Sequence, residues 1–117
     1  MTMLLSANET IFVAHRRLFE KDSARFFVGR VDGYDAGIVR ATGHSYVRDN
    51  ISGAMLEKAE TRTKLFSVSS GTLIFYVLPT GVEVSELRFV DDDGRLSLLD
   101  GKGFSMNLSD SVRGGQV

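Results

Sequence analysis

Seven consecutive residues, Thr72, Leu73, Ile74, Phe75, Tyr76, Val77 and Leu78, form the most apolar run of the chain and stop at Pro79, its only proline. The run falls far short of the roughly 20 apolar residues that a membrane helix needs. At this length, and dense in β-branched and aromatic side chains, it reads as a buried strand. The two-residue period puts Leu73, Phe75 and Val77 on one face and Ile74, Tyr76 and Leu78 on the other. Being apolar on both faces argues for burial on both.

The rest of the chain follows the same pattern. Residues 26–31 are β-rich, Tyr34 to Gly37 reads as a turn, and a second strand starts at Ile38 and resumes after Gly43 through Tyr46 and Val47. Gly29, Gly33, Gly37 and Gly43 are the bend points that a strongly curved ribbon requires. Residues 87–90, 95–99 and 104–108 read as strands around two Asp-Gly turns, Asp93-Gly94 and Asp100-Gly101. Two segments stay open between helix and strand. Residues 9–19 fit either a helix capped by Asn8 or a strand over 10–17, with strand preferred. Residues 54–62 fit a strand pair or one helix. Residues 20–23 are turn-forming, and residues 109–117 read as a frayed tail. The expectation is an all-β domain, or a mainly β one with a short N-terminal helix. It forms one small, strongly bent SH3-like barrel over residues 1–108, its core about 10–90 and an added hairpin about 91–108.

Composition narrows the function classes. The chain has 117 residues, enough for one domain, and a net charge of −1, which removes the simplest electrostatic case for nucleic acid. Ten Lys/Arg face eight Asp/Glu in residues 1–64, and four face seven in residues 65–117. Without cysteine, disulfides, thiolate nucleophiles and Cys-based metal sites are excluded. Residues 1–5 lack a basic leader, so a cytoplasmic address with no membrane partner is expected.

No catalytic set converges in the sequence. His15 and His44 sit in no metal-binding or triad spacing and are expected to be structural or solvent-facing. Asp91, Asp92, Asp93 and Gly94 do not fit a calcium loop, because Phe89 would occupy its first ligand position. Carboxylate chemistry through Asp35 or Asp91 finds no partner base. The expectation is a protein that is not an enzyme and uses no cofactor or metal.

The segment Gly29, Val31, Tyr34, Asp35 and Ile38 resembles the first motif of the Sm-like family, which includes Lsm proteins and Hfq. Gly71, opening the apolar run that ends in Leu78 and Pro79, resembles the second, and residues 84–90 resemble the short turn and last strand of some members. The resemblance covers about residues 10–90. It implies a five-stranded SH3-like barrel and a homo-oligomeric ring, with the strand carrying Leu73, Phe75 and Val77 at the subunit interface. It also implies a nucleic-acid or pore loop at Asp35, Gly37, Val39, Arg40, Ser70 and Gly71. Three of these positions depart from the family's uridine site. Gly37 stands where a base would stack, Val39 where an Asn would read it, and Ser70 where a cation would support it. The resemblance therefore implies a ring-forming scaffold that would meet RNA only through another surface. Arg16, Arg17, Arg25, Arg30, Arg40 and Arg48 are its available cations, and Phe26 or Tyr46 its stacking rings. The alternative is an SH3-like structural or protein-interaction domain with no nucleic-acid role.

Overall fold

The structure, a computed structural model, describes residues 5–16, 23–49, 51–92 and 95–108. The described residues are nearly all β. The strands are β1 (Thr10–His15), β2 (Arg25–Asp35), β3 (Ile38–Arg48), β4 (Met55–Glu57), β5 (Arg62–Ser67), β6 (Leu73–Val77), β7 (Arg88–Asp92), β8 (Arg95–Leu99) and β9 (Ser105–Asn107). Among the described residues the only helical element is a 3-10 turn at Val84–Glu86. Both ambiguous segments resolve as strand: 9–19 contains β1, and 54–62 contains β4 and the start of β5. The expected turn at 20–22 and the tail at 109–117 lie outside the described residues.

Six strands form one antiparallel sheet ordered β4-β3-β2-β1-β6, with β5 also on β3. The long strand β3 carries β5 along residues 38–43 and β4 along 46–48, both on its outer side. Strands β7, β8 and β9 make a second, three-stranded sheet, so the expected hairpin is a meander of three. No ladder joins β5 to β6 among the described residues, and the first sheet is open. It is nevertheless curled. Phe66 of β5 meets Phe27 at a ring separation of 5.2 Å and Phe75 of β6 at 5.9 Å, although β5 and β6 lie at opposite ends of the strand order.

Strand alternation explains the two cores. Ile11, Val13, Phe27, Val31, Val39, Ala41 and Phe66 point into the curl, joined by Leu5 and flanked by Leu73 and Phe75. Phe12 and Val28 point out, where they meet Leu78, Val82, Leu87 and Leu98 under the second sheet. Phe89 of β7 lies 5.6 Å from Phe26 and 4.7 Å from Tyr46 by ring centroids, and Phe12 stacks on Phe26 at 5.2 Å. Each such ring pair contributes about 0.5–1.5 kcal/mol beyond its burial. Arg48 clips the two sheets together, donating to Asp91 Oδ2 at 2.7 Å and to the Gly53 carbonyl at 3.1 Å.

Tight approach sets the curl. Gly29 and Gly43 are cross-strand partners. A Cβ on Gly43 would lie 2.0 Å from the Val28 carbonyl oxygen, and one on Gly29 would lie 2.6 Å from that of Thr42. Gly33, beside an irregularity in the β2–β3 register, has open space instead. Gly43→Ala is therefore expected to lower unfolding free energy by at least about 2 kcal/mol through overpacking, while Gly33→Ala stays near wild type. Urea denaturation of the two variants checks this.

Asp100 organises the turn of the second sheet. Its Oδ1 accepts from the backbone N–H groups of Lys102 at 2.8 Å and Phe104 at 3.0 Å. These bonds, the one from Lys102 foremost, hold its pKa below the usual carboxylate range. A depressed carboxylate adds stability above its unfolded pKa, and that stability is lost as pH falls through the lower folded value. Asp100→Asn is expected to flatten the acid limb of a Tm-against-pH curve below about pH 4.

Candidate functional site: two loops, two open edges and a cationic cleft

The hairpin joining β2 and β3 turns on Ala36 (φ 51°) and Gly37 (φ 81°). With both central residues left-handed and Asp35 paired to Ile38, this is the two-residue turn that suits twisted strands. The turn between β5 and β6 lies beside it, since the Val68 N–H donates to the Gly37 carbonyl at 2.9 Å. The structure thus sets Val68 beside the Asp35–Ile38 turn, while Ser70 and Gly71, further along the same loop, lie towards Arg16 at the end of β1. Ser70 Oγ shares a hydrogen bond with Thr72 Oγ1 at 2.8 Å, and the Gly71 carbonyl accepts from Arg16 at 3.2 Å. Val39 joins neither group. Its side chain is fully buried in the inner core, and Arg40 is exposed on the opposite face.

Strand β6 pairs with β1 on one side only, and β5 pairs with β3 on one side only. Leu73 and Phe75 are half-buried against the inner core of their own chain, so the side-chain part of the expected interface is partly used internally. Val77 is 47% exposed, and Ile74 and Tyr76 are 43% and 41% exposed. Leu65 on β5 is 66% exposed. The both-sided burial expected for β6 is absent within a single copy.

At the end of the curl away from the β2–β3 turn, the inner face changes character. Continuing the inward rows beyond Val13, Phe27 and Phe66 leads to His15 on β1, Arg25 on β2, Ser45 and Val47 on β3, and Lys64 and Arg62 on β5. These residues, with Lys58, Ala59 and Glu60 of the loop between β4 and β5, line a cleft of about 640 Å³. Lys64 Nζ donates to Ser45 Oγ at 2.8 Å and stands 5.6 Å above the Phe27 ring. Arg62 pairs with Glu60. Four cations thus face one carboxylate in the lining, a net of +3 in a chain whose total is −1. Partial burial, then the charges of Lys64 and Arg25, hold the His15 pKa below its ordinary value.

A second polar group lies on the outer face. Thr61 Oγ1 is 3.2 Å from His44 Nε2, and His44 Nδ1 is 3.9 Å from Glu57 Oε2. The order hydroxyl, imidazole, carboxylate is that of a nucleophilic triad, but 3.9 Å exceeds a hydrogen bond, so Glu57 does not fix the ring. Tyr46 donates to the same carboxylate at 3.4 Å. Burial, then the charge and hydrogen bond of Glu57, push its phenol up to about 12. Among the described residues no group of three His, Asp or Glu side chains could hold a metal ion, and no helix is long and apolar enough to cross a membrane.

Most of the cations considered for RNA are dispersed. Alternation sends Arg30 and Arg40 outward, Arg48 is bound to Asp91, and only Arg25 enters the cleft. Arg17 lies outside the described residues. Phe26 and Tyr46 pack on Phe89 and also line the cleft. Sequence reasoning missed the cleft because its cations come from separate segments. The available signal was parity, since Arg25 and Lys64 share their faces with Phe27 and Phe66. Comparison with protein-family models, with curated proteins and with solved structures finds no match.

With its pKa lowered, His15 stays neutral in the fold below the pH at which the unfolded chain protonates. It therefore destabilises the fold as pH drops from about 6.5. Lys64→Met removes one of the causes. The His15 pKa, followed by NMR titration of its ring protons, is expected to rise towards its ordinary value.

Proposed function

We propose that this chain is a self-associating scaffold module of the Sm-like type, in which the open edge of β6 in one copy pairs with the open edge of β5 in the next. The observation that carries the reading is the pair of one-sided strands at the two ends of a single sheet. An unpaired edge is a template for another strand. Natural edges are blunted by charge, proline or bulges, and the five residues of β6 contain none of these. Strand β5 has six residues, a matching length, and carries Arg62 and Lys64 on its inward row. Head-to-tail pairing of unlike edges closes into a ring when the rotation permits. Such pairing would also cover Ile74, Val77 and Leu65. The buried position of Val39 favours a scaffold without the family's uridine site.

A second reading, an SH3-like protein-interaction domain, draws on the groove beside β6. Phe12, Ala14, Ile74, Tyr76, Met106 and Leu108 line it. An extended peptide from another protein could add to the β6 edge and place side chains there.

Sedimentation velocity separates the two. The first reading expects an oligomer at micromolar concentration that Val77→Lys converts to monomer, with the far-ultraviolet circular dichroism unchanged. A wild-type chain that stays monomeric at about 100 μM, where a contact weaker than roughly −5.5 kcal/mol would be missed, overturns it in favour of the second.

A further inference from the structure

We infer that the cationic end of the inner face is a binding site for a small phosphate ester, held by Arg25, Lys58, Arg62 and Lys64, with Val47 and Ala59 against its organic part.

The arrangement is unexpected for a fold that only needs to close its core. Alternation puts Arg25, Arg62 and Lys64 on the rows that elsewhere carry Phe27 and Phe66, with Lys64 half-buried and the two arginines exposed at the mouth of the curl. Like charges gathered this way repel, and Glu60 offsets only Arg62. The polar contact of Lys64 is with a neutral hydroxyl, that of Ser45. The connection 17–22 lies outside the described residues. Its own charges, Arg17 and Lys21 against Glu20 and Asp22, sum to zero. A bound anion would relieve the repulsion and supply the missing partner.

Charge and size select the ligand. A phosphate monoester carries about −1.5 to −2 at neutral pH and offers three acceptor oxygens. That load matches a net of +3 better than a single carboxylate does, and guanidinium forks suit phosphate geometry. The cleft, about 640 Å³, lies in the range of small-molecule sites, roughly 300–1,000 Å³. A bare phosphate would leave most of it empty. A polymer would need the positive surface to continue, and among the described residues the other arginines of this sheet are engaged or turned away, Arg16 donating to the Gly71 carbonyl. Arg30 and Arg40 lie on the outer face, and Arg48 is engaged by Asp91. His15 sits on the same lining, its pKa lowered by partial burial and then by Lys64 and Arg25, and an anion beside it would oppose the influence of those two cations.

The test titrates the full chain with adenosine monophosphate, inorganic phosphate, adenosine and a uridine oligoribonucleotide at fixed ionic strength, following His15 by NMR and heat by calorimetry. Adenosine monophosphate, and more weakly phosphate, are expected to shift the His15 resonances and raise its pKa, while adenosine does neither. Lys58→Gln, in an exposed loop where folding is not at stake, and Arg25→Gln should each weaken binding about tenfold, the scale of one charge-assisted contact. Arg95→Gln on β8 should bind as wild type. Three results overturn the assignment: no response to roughly 10 mM phosphate or monophosphate, well above the 1 mM scale of a weak site; the same response to chloride at equal ionic strength; or an oligoribonucleotide that binds at least about a hundredfold tighter than the monophosphate, which would make the cleft part of a polymer track.

Discussion

The structure depends on a strand whose central residues have no solvent face. Ile11, Phe12 and Val13 of β1 are all fully buried. Alternation sends Ile11 and Val13 into the curl and Phe12 out towards the second sheet. Burying each such side chain contributes about 1.5–3 kcal/mol, and here three neighbours serve two cores at once. Neither core can form without β1. Its ladder partners β2 and β6 are consequently fixed in register, because a slip of one residue would exchange the two sets of side chains.

Curvature follows from that double burial. A sheet must close round its inner side chains to exclude water, and the β2–β3 ribbon does so where Gly29 faces Gly43 without Cβ atoms. The curl brings Phe66 and Phe75 together from opposite ends of the sheet but leaves β5 and β6 unpaired with each other. Two exposed edges and one polar end of the inner face are thus products of the same bend. The three-stranded meander covers the outer face instead, through Phe89 and Leu98, and Arg48 fastens it.

Much of this was written locally. Turn chemistry marked Tyr34 to Gly37, and the β2–β3 hairpin does turn on the left-handed Ala36 and Gly37. The run before Pro79 was legible as a strand because its length and residue types exclude the alternatives. The same local signals were ambiguous at 54–62, where β4 has only three residues and its pairing to β3 decides the matter. The expected interface side chains illustrate the limit. Leu73 and Phe75 were assigned to one face correctly, but which face meets the chain's own core depends on register with β1.

Amino-acid order by itself determined an all-β chain with glycine-dependent bends, because residue preferences and turn geometry act over a few neighbouring positions. It also determined that Gly37, Val39 and Ser70 lack the groups of a uridine site, since that is a matter of side-chain identity. Tertiary structure alone decided that Val39 is core, that Phe26 and Tyr46 serve Phe89, and that His15, Arg25, Arg62 and Lys64 share one cleft. Those outcomes rest on which strands pair and which way each pleat faces, and long-range burial sets both.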